Sequence, residues 1–100
     1  MKIDILQKIK GVDGIKALPN LDTELDLTLK DVIIQALLSF ARDEPEKEKF
    51  DSYRLYERLK VHSKNEINLT TEELAKIKKK IGSHYAPLIM GQAWDMIEKK

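Results

Sequence analysis

Cysteine is missing from this chain of 100 residues, and with it go disulfides, thiolate metal sites and cysteine nucleophiles. The residues after Met1 hold no apolar stretch of the signal-peptide kind, so a reducing cytoplasm is the expected location. Long hydrophobic runs are missing as well. Val32–Ala41 is the most apolar stretch, broken only by Gln35 and Ser39, and it is far short of the roughly 20 residues that span a bilayer. No membrane partner is expected. Charge of one sign is also lacking: 18 basic residues against 17 acidic leave a net charge of +1, so no global field draws the chain to nucleic acid or anionic lipid. Any such binding has to be local.

Catalytic signatures are equally scarce. His62 and His84 are the only histidines, with no HExxH and no acidic ligand set at a recognisable spacing, so no metal is expected. Serines and threonines fall in cap positions rather than in a nucleophile elbow, and there is no glycine-rich phosphate loop. The Asp43–Glu48 acids lack the alternation and the glycine of a calcium loop. The residues therefore point away from an enzyme and call for no cofactor.

What is present is helical grammar. The chain is organised around Leu27–Ala41 (LTLKDVIIQALLSFA), which from Val32 to Ala41 is apolar nearly all round, the mark of a buried helix. Thr28 is its expected N-cap, Asp31 the reciprocal carboxylate of a capping box, and Leu27 and Val32 the hydrophobic staple. Leu69-Thr70-Thr71-Glu72-Glu73-Leu74 repeats that pattern. A duplicated hairpin would produce such a repeat, but nothing else in the two halves aligns, and two helices that share a common cap explain it.

In chain order, Lys2–Lys10 reads as a short strand, with Ile3 and Ile5 alternating against charged neighbours. Asp13-Gly14 then predicts a two-residue type I′ turn and a hairpin over 1–18. Two strands alone are marginal in water, so the hairpin must lie against the helices or pair with another edge. Residues 19–26, with Pro19-Asn20 and the acids Asp22, Glu24 and Asp26, read as a polar connector, and 27–100 as the helical core of a single domain.

After the central helix, Pro45 suits the first position of a second helix. Its inner face is Ser52, Leu55, Tyr56 and Leu59, and Phe50 falls off that stripe. A short extended link through Ile67 leads to a third helix, Thr71–Ile81, which buries Leu74, Ile77 and Ile81 and stops at Gly82. The last helix starts near Pro87. The expected class is mainly α, a compact four-helix domain with a small N-terminal β-hairpin.

Two surfaces carry functional expectations. Tyr85, Ile89, Met90, Gly91, Trp94 and Ile97 form an apolar and aromatic group wider than one core-facing stripe requires, which suits a protein interface, a homodimer first of all. Gly91, costly inside a helix, implies close packing there. Lys76, Lys78, Lys79 and Lys80 crowd the third helix and offer an alternative, contact with nucleic-acid phosphates. The competing explanation is a solvated face that offsets the helix dipole, and no aromatics are interleaved as a stacking platform would need.

The order Leu27-Thr28-Leu29-Lys30-Asp31-Val32, a charged helix, Leu69–Leu74, Ile77-Lys78-Lys79, Ile81-Gly82, Tyr85, Pro87-Leu88 and Gly91-Gln92-Ala93-Trp94 resembles a group of small phage and prophage proteins of unassigned function. The likeness covers most of the chain after Asp26 and rests mainly on the spacing from Gly82 to Trp94. It implies a viral genome as context rather than an activity; the interaction expected from the apolar group on the last helix is self-association, virion assembly or host-factor binding. It implies no catalytic residues.

Overall fold

The computed structural model describes residues 2–14, 16–19, 25–39 and 44–98. Their element order is β1 (Lys2–Asp4), α1 (Leu29–Leu38), α2 (Glu46–Lys60), β2 (Glu66–Asn68), α3 (Thr71–His84) and α4 (Pro87–Glu98). The chain is mainly helical, as its periodicity predicts.

Helix α1 is the axis of the fold and packs on α2, α3 and α4. Both halves of its capping box form: Asp31 N–H donates to Thr28 Oγ1 at 3.3 Å and Thr28 N–H to Asp31 Oδ2 at 3.1 Å. Leu29, Val32, Ile33, Ala36 and Leu37 are buried. The two polar positions are each satisfied, Gln35 accepting from the Tyr85 hydroxyl at 2.7 Å and Ser39 donating to Ala36 O at 2.6 Å. Regular helix ends at Leu38, earlier than the apolar run predicts, because Ser39 turns to an extended conformation as C-cap. Residues 40 and 41 of that run lie outside the described residues.

The N-terminal segment is woven into the helices rather than standing apart. Lys10 bridges Ala17, and Leu18 N–H donates to Ile9 O at 2.8 Å, so the predicted hairpin is present. Its turn differs from the two-residue form. Gly14 N–H reaches back to Gly11 O at 3.0 Å, and Gly14 itself takes the left-handed conformation at φ 71°. Asp13 Oδ1 accepts from Lys16 N–H at 3.1 Å and stabilises this longer loop. Strand β1 pairs instead with β2, antiparallel, with Ile3 opposite Ile67. That is the second edge the hairpin requires. Ile3, Ile5 and Ile9 are fully buried beneath it.

The Ile3–Ile67 register, with Ile5 N–H donating to Asn65 O, turns the carbonyls of Glu66 and Asn68 away from β1. Arg58 donates to Asn68 O at 2.6 Å and the His62 Nε2–H to Glu66 O at 2.6 Å. Side chains from the end of α2 thus blunt this sheet edge, which would otherwise invite a foreign strand.

Three further details correct the sequence reading. Pro45 is the N-cap of α2, not its first helical residue. Helix α3 continues through Gly82 to His84 and is capped at Tyr85. Gly82 is small for packing, not for stopping: a Cβ there would stand 3.2 Å from Trp94 Cζ2. Gly91, expected to be the close approach, would place its Cβ in open space.

Candidate functional site

The four lysines of α3 do not make one cationic surface. Successive residues of a helix are turned by about 100°, and the neighbours of each lysine differ accordingly. Lys80 points inward, is 4% exposed, and donates to Ser39 O and to Glu44 Oε2, both at 3.1 Å. It ties the α1–α2 junction to α3. Lys78 lies 4.7 Å over the Trp94 ring and pairs with Glu98. Lys76 lines a groove between α2 and α3, and Lys79 is exposed. A phosphate backbone would meet at most two of the four.

The groove beside Lys76 has a volume of about 330 Å³. Asp51, Glu72 and Glu73 face Arg54, Arg58 and Lys76 across it. Arg58 is already committed to Glu73 at 2.8 Å, and three acids against three cations leave no field for an ion of either sign.

Much of the α4 group also packs within the chain. Ile97 is 2% exposed and belongs to the core, which removes it from the expected interface. Ile89, Met90 and Trp94 are half-buried against the core. Trp94 Nε1–H donates to Lys78 O at 3.1 Å, and its ring occupies the space that Gly82 leaves. Tyr85 spends its hydroxyl on Gln35. Burial, helped by the Asp31 carboxylate, pushes the Tyr85 pKa up to about 12. Gln92 holds Lys10 on both sides, accepting from its N–H and donating to its carbonyl at 2.8 Å each, so α4 clamps the hairpin. Only Leu88, at 40%, is a large exposed hydrophobic on this helix.

Among the described residues the exposed aromatics stand on α2. Phe50 is 54% exposed and Tyr53 48%. The Arg54 guanidinium lies 4.9 Å over the Phe50 ring, Tyr53 and Tyr56 meet at 6.1 Å between centroids, and Lys60 Nζ is 5.8 Å from the Tyr56 ring. Sequence reasoning set Phe50 aside because it misses the core stripe. The overlooked signal is a second stripe, Glu46, Lys49/Phe50, Tyr53, Tyr56/Glu57 and Lys60, stepping by three and four along the outer flank, with the half-buried Tyr56 shared between it and the inner face. It crosses a helix whose remaining surface is charged.

Of the two histidines, His62 binds Glu66 O, and His84 sits edge-on to Tyr85 at 4.7 Å. Among the described residues no three His, Cys, Asp or Glu side chains converge as metal ligands. No helix of the described residues is long and apolar enough to cross a membrane.

No family model, no curated protein and no solved structure matches the chain.

Proposed function

We propose that this chain is a small non-enzymatic protein of phage or prophage type that works by docking on protein surfaces, a second copy of itself first of all. The observation that carries this reading is the exposed aromatic face of α2. Buried aromatic anchors supply much of the energy at protein interfaces, and Phe50 and Tyr53, three positions apart on one helix, leave about half of their surface uncovered. The absence of a nucleophile elbow, of a phosphate loop and of a metal-ligand spacing in the sequence supports a binding role over a catalytic one. The nucleic-acid alternative loses its main support, since Lys80 is internal and Lys78 is neutralised by Glu98. A cytoplasmic setting, with a virion component or a host factor as further partner, agrees with the resemblance to small phage proteins.

Light scattering coupled to size exclusion tests the reading. The expected result is a mass that rises with loading concentration above that of the 11.6 kDa chain. A strictly monomeric chain at the highest soluble concentration counts against self-association.

A further inference from the structure

A two-fold dimer brings the same patch of each subunit together, so a patch suited to it must be complementary to itself. The outer stripe of α2 has this property. If two α2 helices lie antiparallel with Tyr53 on the axis, residues whose numbers add to 106 face each other. Glu46 then meets Lys60, Lys49 meets Glu57, Phe50 meets Tyr56, and Tyr53 meets its own copy. Each acid finds a base and each aromatic an aromatic. In a parallel arrangement the same residues would set Glu46 against Glu46 and Lys60 against Lys60, so the pattern also selects direction.

We infer that the α2 stripe is a homodimerisation surface in which two copies pack their α2 helices antiparallel about Tyr53; this rests on the self-association reading above. The rows at 46, 49, 53, 56 and 60 alternate steps of three and four, the spacing that lets one helix seat its side chains between those of another. The existing contacts are compatible with it. Arg54 holds one Glu57 oxygen at 3.2 Å and lies 4.9 Å over the Phe50 ring, while Lys60 already leans over Tyr56. A helix of this length runs about 22 Å, which places the contact at the small end of specific interfaces. The dimer therefore exchanges readily with monomer and grows with concentration.

Sedimentation equilibrium of the full chain over a range of concentrations, with charge-swap variants, tests the arrangement. Glu46→Lys or Lys60→Glu alone introduces two like-charge pairs through the two-fold axis and should weaken the dimer roughly tenfold at low salt. The double variant Glu46→Lys/Lys60→Glu should restore it. The chain has no cysteine, so Tyr53→Cys gives an unambiguous second readout. Air oxidation should link two chains through position 53, whereas Lys47→Cys, on another side of the helix, should not. A dimer indifferent to both charge changes, with no cross-link at position 53, overturns the α2 arrangement and leaves self-association to another face. A wild-type chain that stays monomeric throughout overturns both. A dimer weakened by neither single swap yet cross-linked at position 53 shows parallel pairing and overturns the direction inferred here.

Discussion

Helices α4 and α2 invite opposite expectations and reverse them. Helix α4 is rich in apolar residues and α2 in charge, so α4 looks like the sticky surface and α2 like the solvated one. In the fold, α4 spends Ala93, Ile97 and Trp94 on the core and on Gly82, while α2 leaves Phe50 and Tyr53 in solvent. A surplus of apolar residues mostly reports how many neighbours a helix has. A few large aromatics stranded among charges report a surface with another use.

The largest test of that contrast compares Ile97→Ala with Phe50→Ala. The first should cost about 2–5 kcal/mol of stability, because it opens a cavity in a closed core. The second should stay within about 0.5 kcal/mol for the monomer, as exposed substitutions do. Urea denaturation at low protein concentration measures both. A large loss from Phe50→Ala under those conditions would make that side chain structural and dissolve the comparison.

Ser52 sharpens the contrast from the inner side of α2. Its hydroxyl is buried with no hydrogen-bond partner among the described residues. Ser52→Ala removes that unsatisfied group and improves helix propensity, so it should raise stability by about 1 kcal/mol. An unchanged or lower melting temperature would mean that the hydroxyl has found a partner, water included.

Tyr85→Phe should cost about 1 kcal/mol at neutral pH through loss of the bond to Gln35. It also has a pH signature. Because the folded pKa is raised from 10 to about 12, the unfolded chain gives up this proton first as pH climbs. The stabilisation is complete below pH 10 and declines from there towards pH 12. The variant should show a shallower decline over that window than the parent chain; parallel curves would refute the raised pKa.

The smallest expected effects separate the two glycines. Gly91→Ala meets open space and should gain about 0.5–1 kcal/mol from helix propensity. Gly82→Ala makes the same gain but pushes against a Trp94 ring that its hydrogen bond to Lys78 O holds in place. It should therefore end less stable than Gly91→Ala, and equal melting temperatures would show that the ring yields freely.

Local rules were legible wherever the physics is local. Thr28 with Asp31, and Thr70 with Glu73, form the reciprocal caps that a three-residue spacing prescribes. The stripes through Leu55 and Leu59 and through Leu74, Ile77 and Ile81 face the core as a 3.6-residue period requires. Gly82 was misread because glycine serves equally to end a helix and to admit a neighbour, and the neighbour, Trp94, comes from another element. Of the candidate site, the α4 residues drew notice by composition, yet composition does not say which of them another helix will cover.

What the amino-acid order determined by itself is the helical class, the starts of α1 and α3, the burial of Val32, Ile33, Ala36 and Leu37 (though not of Leu38, which is 55% exposed) and the turn near Gly14, because caps, periods and positive-φ glycines act within a few residues. Only the tertiary structure decided that β1 pairs with β2, that Lys80 turns inward to Glu44 and Ser39, that Trp94 rests on Gly82, and that Phe50 and Tyr53 stay outside. Those outcomes depend on which surfaces meet across long stretches of chain, and the total burial of the assembled core settles them rather than any local preference.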